Sequence, residues 1–234
     1  MNKIALVTGG NRGIGLAIAL KLRAAGHEVV VACRSGQAPE GLAAVAMDVA
    51  DPASIDAAFT KVEADFGSVS IIVANAGITR DGLLMRMSDQ DIDDVLTTNL
   101  AGAIRVSRRG LRAMIKARDG RIIFISSVVA MLGSAGQVNY AAAKSGLIGA
   151  GRSLAREVGT RGITVNVVAP GFVETDMTAD LDEDRKAAIL GAVPLGRYAQ
   201  PDEVAALVQF LASKDAGYIT GAVIPIDGGL GMGH

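Results

Sequence analysis

The sequence predicts an α/β protein with a doubly wound sheet of seven parallel strands and helices on both faces, a Rossmann-type architecture. Short runs rich in Val, Ile and Ala alternate along the chain with longer Ala-rich segments of helical periodicity. Several of the short runs are continuously apolar, which is typical of parallel strands covered on both faces. Their alternation with helices favours right-handed crossovers within one sheet.

The predicted elements follow one another along the whole chain. Strands are predicted at 3–8, 28–33, 43–47, 69–75, 120–126, 163–170 and 222–227, and helices at 13–25, 53–66, 91–117, 138–159 and 202–213. No Pro/Gly/Ser-rich linker interrupts the chain, so residues 1–234 are expected to form a single domain. Ligands of such sheets bind beyond the carboxyl ends of the strands, and motifs that follow strands therefore carry the most weight.

One segment, about 171–196, is too long and too charged to be an ordinary connection between a strand and a helix. It is predicted to be a lid that closes over substrate. The alternative is a solvated connection. Five apolar residues of this lid could cover an acyl chain or pack within the lid itself: Phe172, Met177, Leu181, Ile189 and Leu190.

Composition excludes several classes of partner. The chain has 23 basic and 24 acidic residues and a net charge of −1, with no basic block for nucleic acid. No apolar run reaches the ~20 residues of a membrane-spanning helix. The single cysteine, Cys33, fits a reducing compartment, and the first residues lack the features of a signal peptide. A cytoplasmic location is expected, and neither histidine is spaced for a metal site.

The motif "TGGNRGIG", residues 8–15, follows the first predicted strand and opens a helix. Glycines at 9, 13 and 15 let the backbone turn sharply and approach a ligand, and the helix directs free N–H groups to the same point. The pyrophosphate of a dinucleotide is the expected guest. The alternative is a structural turn with no ligand.

The end of the second strand indicates which dinucleotide is bound. NAD sites usually have a carboxylate there for the ribose 2′-hydroxyl, whereas this chain has Arg34. A second guanidinium, Arg12, lies in the glycine loop, and two guanidiniums favour a 2′-phosphate. NADPH is therefore the expected cofactor, with a solvated Arg34 as the alternative. Asp48 could accept a hydrogen bond from the adenine, and "NAG", residues 75–77, would lie near the ribose.

Tyr140 and Lys144 are spaced one helical turn apart in "YAAAK". Residues i and i+4 share a helix face, and a neighbouring ammonium lowers the pKa of a phenol from its usual ~10. The pair could therefore protonate a carbonyl that receives a hydride. Two serines, Ser126 and Ser127, end the preceding strand, and the residues alone do not decide which one faces the site.

These motifs together resemble the short-chain dehydrogenase/reductase family over essentially the whole chain. They are TGxxxGxG, "NAG", Asn99 in "TTNLAG", Ser127, "YAAAK" and "APGFVETDM". Within that family the runs "NAGITRDGLLMRM", "GQVNYAAAKSGLIG", "NVVAPGFVETDMT" and "YITGAVIPIDGG" are similar to 3-oxoacyl-[acyl-carrier-protein] reductases of bacterial fatty-acid synthesis.

The resemblance implies a role for each matching residue. Ser127 orients the carbonyl, Tyr140 donates the proton, Lys144 holds the ribose and lowers the pKa of Tyr140, and Asn99 kinks its helix and holds a water. The residues assigned to the dinucleotide are Gly9, Asn11, Arg12, Gly13, Ile14, Gly15, Arg34, Asp48, Val49, Asn75, Ala76, Gly77, Tyr140, Lys144, Pro170, Gly171, Val173 and Thr175.

The resemblance also implies a substrate and partners. The expected reaction is NADPH-dependent reduction of a 3-oxoacyl group on acyl carrier protein, in a homotetramer. Arg118 and Arg161 are expected to dock the acidic carrier near the mouth of the site, the alternative being ordinary solvated arginines. The competing functions are a related reductase acting on acetoacetyl-CoA or another small carbonyl, and a non-catalytic dinucleotide sensor.

Overall fold

The computed structural model describes residues 3–175 and 183–232, which are built around a sheet of seven parallel strands. The strands are β1 (Ile4–Thr8), β2 (Glu28–Cys33), β3 (Ala43–Ala46), β4 (Val69–Ala74), β5 (Gly120–Ile125), β6 (Ile163–Pro170) and β7 (Val223–Ile226). Their order is β3-β2-β1-β4-β5-β6-β7. The predicted fold class is confirmed, and each strand begins and ends within one residue of its predicted position.

Helices cover both faces of this sheet. They are α1 (Gly13–Ala24), α2 (Pro52–Asp65), α3 (Asp89–Leu96), α4 (Ala103–Ala117), α5 (Val129–Leu132), α6 (Val138–Val158), α7 (Glu183–Ala192) and α8 (Pro201–Ala212). The core on one face combines the strands with α2, α4 and α6, and the core on the other combines them with α1 and α8. Over the two described ranges, no helix is both long and apolar enough to cross a bilayer.

The two cores are separate because successive residues of a strand point to opposite faces of the sheet. In β1, Leu6 packs into the core of α2, α4 and α6, whereas Ala5 and Val7 pack into the core of α1 and α8. Small aliphatic residues make up most of both cores, which the aromatic content of 3% requires. Close packing of small side chains brings the helices near the sheet and holds the strand ends firmly.

The predicted helix 91–117 is two helices joined by a π-helical segment. α3 begins at a capping box of Ser88 and Asp91, and residues Thr97–Gly102 form the π-helix before α4. A Cβ on Gly102 would lie 2.9 Å from the carbonyl oxygen of Val49. At the place where the resemblance implies a kink, the structure thus has the wider turn of a π-helix, and the buried Asn99 lies within that turn. π-Helical turns of this kind are frequent at functional sites.

Part of the predicted lid at 171–196 contains regular structure that the sequence analysis did not expect. α7 occupies Glu183–Ala192, and Val173 forms a parallel bridge with Ala199. The ring of Phe172 lies 6.1 Å from that of Tyr198, so Phe172 packs at the base of the segment. Met177 and Leu181 lie outside the described residues, and the role of the segment as a lid stays a prediction.

Candidate active site

Two loops that follow neighbouring strands meet at the carboxyl edge of the sheet. The strand order reverses at β1, which lies between β2 and β4, and open α/β sheets bind ligands at such a point. The glycine loop 9–15 follows β1 and the "NAG" segment 75–77 follows β4. Asn75 Nδ2 donates to the carbonyl oxygen of Gly9 at 3.2 Å. The structure thus brings the two predicted dinucleotide segments together.

The glycine loop needs glycine for both conformation and clearance. Gly9 and Gly13 have φ values of 63° and 52°, in the left-handed region that other residues rarely adopt. A Cβ on Gly15 would overlap the carbonyl oxygen of Gly9. A Cβ on Gly13 would meet only Thr175, at 3.6 Å. The loop therefore folds tightly beneath α1 and presents an open backbone surface on its outer side.

The amino end of α1 fits an anion. Its N-cap residue, Arg12, makes no capping hydrogen bond with its side chain, and the first turn contains no acidic residue. By contrast, α2 has a side-chain cap from Asp51 and α3 has one from Ser88. The N–H groups and the positive end of α1 are therefore available at the glycine loop, which suits the pyrophosphate of a dinucleotide.

Thr8 is a site residue that the sequence analysis did not single out. Its hydroxyl oxygen accepts from the backbone amides of Asn75 and Ala76, both at 3.0 Å, and Asn75 Nδ2 donates to the Thr8 carbonyl at 3.0 Å. Thr8 is buried. It joins the end of β1 to the segment after β4, and its place at the head of "TGGNRGIG" was the available signal.

The residues assigned to the adenosine end lie at the same edge of the sheet. Arg12 and Arg34 are exposed, at the start of α1 and just after β2. Asp48 follows β3, and its Oδ1 accepts from the backbone amide of Ala50 at 2.9 Å, so this carboxylate already closes its own turn. Val49 is buried. Only the backbone of Val49 could therefore contact a ligand, while its side chain packs behind the site.

The two serines at the end of β5 have different partners. Ser126 is buried, and its Oγ donates to the carbonyl oxygen of Lys144 at 2.9 Å, which binds the strand to α6. Ser127 is half-buried, its Oγ accepts from the backbone amide of Val129 at 3.2 Å, and its hydroxyl is close enough to the phenol of Tyr140 to lower the pKa of that group. Ser127 thus has its hydroxyl beside the phenol, as the resemblance implies, and Ser126 is structural.

Lys144 is enclosed beside Tyr140. It is 4% exposed, its Nζ donates to the carbonyl oxygen of Ile125 at 2.8 Å, and Nζ lies 5.6 Å from the centre of the Tyr140 ring. Burial lowers the pKa of Lys144 to about 8, because a low-dielectric environment disfavours the ammonium. The ammonium therefore remains the main form at neutral pH.

The pKa of Tyr140 differs from the expectation that Lys144 lowers it. Burial of the hydroxyl raises the pKa of Tyr140 to about 12, the hydrogen bond with Ser127 opposes that rise, and the charge of Asp81 adds to it. In the protein alone, burial outweighs any effect of the neighbouring ammonium. The phenol is thus held protonated over the whole neutral range, which is the form that a proton donor requires.

Asn99 lies in the wall behind these side chains. Its Oδ1 accepts from the backbone amide of Ile78 at 2.8 Å, and its Nδ2 donates to the carbonyl oxygen of Ile78 at 2.9 Å. A Cβ on Gly77 would lie 3.1 Å from Asn99 Oδ1 and 3.5 Å from Lys144 Nζ. Asn99 therefore fixes the loop after β4 close to Lys144, while its role in holding a water stays a prediction.

The residues after β6 complete the crevice. Val128 donates its backbone amide to the carbonyl oxygen of Pro170 at 2.8 Å, so the segment after β6 lies beside the one that carries Ser127. A Cβ on Gly171 would lie 2.8 Å from the Cα of Asp227. Val173 is buried, and Thr175 reaches the glycine loop. These are the positions that the resemblance assigns to the nicotinamide end of a dinucleotide.

The predicted docking arginines do not lie at the mouth of this crevice. Arg118 precedes β5 and Arg161 precedes β6, so both lie at the amino ends of the strands. Ser127 follows the carboxyl end of β5, which at about 3.3 Å per residue places it roughly 20 Å away along the strand. Arg118 Nη2 donates to the carbonyl oxygen of Thr160 and joins the end of α4 to the 3₁₀ turn Gly159–Arg161 at the surface. The expected position of these arginines was wrong, because it ignored strand direction.

Within the parts of the chain that the structure describes, no group of three His, Cys, Asp or Glu residues could hold a metal ion. A groove of about 650 Å³ lies elsewhere, between α2 and α4, and contains none of the candidate catalytic residues. The groove is lined largely by basic side chains of α4. At the carboxyl edge of the sheet, the phenol of Tyr140 and the ammonium of Lys144 can donate protons and hydrogen bonds beside the glycine loop.

Comparison with known proteins agrees with this geometry. Residues 9–231 match the sequence model of a family described as "Enoyl-(Acyl carrier protein) reductase". The chain is 51% identical to 3-oxoacyl-[acyl-carrier-protein] reductase MabA of Mycobacterium tuberculosis, over 100% of this chain and 95% of that protein. It is 52% identical to 3-oxoacyl-[acyl-carrier-protein] reductase FabG of Escherichia coli, over 98% of each. This chain belongs to the short-chain dehydrogenase/reductase family.

Proposed function

We propose that the protein reduces a 3-oxoacyl thioester, carried by acyl carrier protein, to the 3-hydroxyacyl thioester in fatty-acid synthesis, with NADPH as the reductant. The observation that carries this proposal is the placement of the Tyr140 phenol near the hydroxyl of Ser127 and 5.6 Å from the buried ammonium of Lys144. Full-length relatives whose names specify 3-oxoacyl-[acyl-carrier-protein] reductase support the same substrate class.

The residues of the chain divide the reaction between them. When bound, the dinucleotide supplies the hydride to the β-carbonyl carbon. The hydroxyls of Ser127 and Tyr140 hydrogen-bond the carbonyl oxygen and stabilise the negative charge that develops there. Tyr140 then transfers its phenolic proton to this oxygen. The ammonium of Lys144 stabilises the phenolate that remains, and Asn99 holds the loop that closes the site behind it.

A test of the proton donor is the substitution Tyr140→Phe, which removes only the hydroxyl. We expect kcat to fall by about 10²–10⁴, the usual loss for a missing general acid, with dinucleotide affinity retained. The control is Tyr218→Phe, since Tyr218 is fully exposed and its change should leave kcat as in the wild type. A folded Tyr140→Phe enzyme that binds NADPH and turns over at the normal rate would refute the assignment.

The family uses a nicotinamide dinucleotide, and NADPH is our proposal for this member. The support is two exposed guanidiniums: Arg34, at the position where an NAD enzyme usually offers a carboxylate, and Arg12 in the glycine loop. We expect kcat/KM to be higher for NADPH than for NADH. Arg34→Ala should reduce that preference by weakening NADPH alone, and equal kcat/KM for both cofactors in the wild type would contradict the proposal.

Two other reactions are candidates for the same machinery. The description of the matching family names enoyl reduction, which places the new proton on carbon, whereas hydroxyls such as those of Ser127 and Tyr140 are suited to hydrogen-bond a carbonyl oxygen. A related short-chain reductase could instead accept acetoacetyl-CoA or another small carbonyl. NADPH oxidation with carrier-bound 3-oxoacyl, CoA-bound 3-oxoacyl and enoyl thioesters separates these candidates. A non-catalytic dinucleotide sensor would bind NADPH and oxidise it with none of them.

The remaining proposals concern the context of the enzyme. We propose acyl carrier protein as the partner, a homotetramer as the assembly, a single domain over 1–234 and a cytoplasmic location.

The exposed side of α4 that borders the groove carries cations at Arg105, Arg108, Arg109, Arg112 and Lys116, of which Arg109 pairs with Glu63 and Asp56. Subunit pairing through α4 would have to accommodate this positive charge, so salt should favour the assembly by screening the repulsion between subunits. Light scattering tests this by comparing the molar mass of the assembly at low and high salt.

A further inference from the structure

The first turn of α6, which carries Tyr140, is bound to the segment 80–91 by side-chain and backbone hydrogen bonds. The backbone amide of Gly82 donates to the carbonyl oxygen of Gly136 at 2.8 Å. Gln137 Nε2 donates to a carboxylate oxygen of Asp81 at 2.8 Å. These two contacts are near the surface. The deeper contacts all come from one side chain, Asn139.

Asn139 uses its amide group fully. Its Nδ2 donates to the carbonyl oxygens of Arg80 and Asp91, at 3.1 and 3.2 Å, and its Oδ1 accepts from the backbone amide of Tyr140 at 2.7 Å. Asn139 is 3% exposed, so water cannot take over these hydrogen bonds, and their loss would leave buried polar groups unpaired at a cost in folding free energy. The N-cap residue of α6, Gln137, makes no capping hydrogen bond, and Asn139 thus satisfies an amide that the helix start leaves free.

The chain just before the segment 80–91 is also held in place. Asn99 binds both the amide and the carbonyl of Ile78. Between Arg80 and Asp91, whose carbonyl oxygens Asn139 binds, the chain forms a short 3₁₀ turn, Leu84–Arg86, whose apolar side chains are exposed. Asn139 therefore links this outer turn to the backbone of Tyr140 itself.

We propose that Asn139 is a positioning residue, which holds the phenol of Tyr140 against Ser127 by locking the first turn of α6 onto the segment 80–91. The inference rests on the proposed function. An aliphatic side chain offers no hydrogen bond to the two carbonyl oxygens, and a carboxylate would repel both of them. Only a side chain with a donor and an acceptor at this point serves all three backbone groups.

The first test replaces Asn139 by Ala and compares it with a matched control. Asn166 is also a buried asparagine, and it binds backbone groups of Ile219 and Ala222 in the middle of β6. Both alanine variants should lose stability. We expect kcat on a 3-oxoacyl thioester to fall by about 10- to 100-fold in Asn139→Ala, since small displacements of a reacting group are costly, with KM for NADPH within about twofold of the wild type. Asn166→Ala should retain kcat.

The second test, Asn139→Asp, keeps the shape of the side chain and so protects against a variant that does not fold. The charged groups of the surrounding elements are Arg80, Asp81, Asp91, Asp94 and Lys144. The Asn139→Asp enzyme should be inactive while the new carboxyl is ionised. Its kcat should recover as the pH falls, because a protonated carboxyl can again donate a hydrogen bond to a carbonyl oxygen. A ratio of variant to wild-type kcat that does not change with pH would contradict the proposal.

A third measurement does not depend on turnover. Tyrosine labelled with ¹³C at Cζ reports the ionisation of each phenol by NMR, with Tyr198 and Tyr218 as internal references. Because burial holds the pKa of Tyr140 at about 12, release of the turn in Asn139→Ala should admit water and lower it toward the usual ~10. Asn166→Ala should leave it unchanged.

The outcomes separate the two proposals. If the wild type reduces no 3-oxoacyl thioester, the proposed function fails, and the NMR titration still decides the role of Asn139. If Asn139→Ala loses stability but keeps the wild-type kcat and the wild-type pKa of Tyr140, Asn139 is only structural. That result overturns the inference.

Discussion

The buried ammonium of Lys144 should make the protein less stable at neutral pH than a variant without it. Lys144 is 4% exposed, and its pKa is lowered from 10.5 to about 8 by burial. The unfolded chain therefore binds this proton more tightly than the folded protein does. Stability must rise as the pH increases from about 8 to 10.5, where the unfolded state still carries the proton and the folded state has lost it.

The size of this effect follows from the two pKa values. One pKa unit corresponds to about 1.4 kcal/mol, so burying the ammonium costs about 3 kcal/mol at pH 7. Lys144→Met removes that cost, but it also removes the hydrogen bond from Nζ to the carbonyl oxygen of Ile125, worth about 1 kcal/mol. We expect the methionine variant to be more stable than the wild type by about 2 kcal/mol at pH 7 and to lose catalytic activity.

The assay is urea unfolding at pH 7, 8, 9 and 10, followed by circular dichroism. The free energy of unfolding of the wild type should gain about 2–3 kcal/mol relative to Lys144→Met across this range. The range stops at pH 10 because the raised pKa of Tyr140 introduces an opposing change above that value. Lys116→Met, which removes an exposed lysine, serves as the control. If the curves of the wild type and Lys144→Met run parallel, the ammonium is not buried as described.

Three further predictions test single contacts of the site. Thr8→Val should cost about 2 kcal/mol in urea unfolding, because it leaves two partly buried backbone amides of the loop after β4 without their acceptor. Gly15→Ala should abolish dinucleotide binding by calorimetry, since its Cβ overlaps the glycine loop, whereas Gly149→Ala meets open space on α6 and should stabilise the fold by about 0.5–1 kcal/mol. Ser126→Ala should lower stability and retain kcat, and Ser127→Ala should lower kcat at unchanged stability. The opposite pattern for the serines would reverse their assignment.

Much of the fold was predictable because its signals are local. Continuous apolar runs mark the strands, and the glycine pattern of residues 9–15 marks the first turn of a dinucleotide site wherever the rest of the chain lies. The π-helix at 97–102 was not predictable as such, because it depends on a contact between Asn99 and the backbone of Ile78, 21 residues away in the chain. Helix α7 was also missed, since its charged sequence has no strong apolar face.

The site shows the same division. The spacing of Tyr140 and Lys144 is a property of one helix, so the sequence could pair them. By contrast, three properties depend on how α6 packs against the end of β5. They are the position of Ser127 beside Tyr140, the burial of Lys144, and the rise in the pKa of Tyr140 where the sequence predicted a fall. The error over Arg118 has a similar origin, because closeness to a catalytic strand in sequence does not say at which end of that strand a residue lies.

The sequence by itself predicted the succession of strands and helices along the chain, the glycine loop 9–15 as the candidate phosphate site and Tyr140 as the candidate proton donor, since each depends on residues within about one turn or one strand. Tertiary structure alone decided which serine faces the phenol, how strongly the ammonium is desolvated, and that Thr8 and Asn139 hold the site together. The hydrogen bonds of Thr8 and Asn139 join segments more than 40 residues apart, and the serines and Lys144 depend on the packing of α6 against the end of β5. In both cases the properties also depend on the exclusion of water when the segments pack.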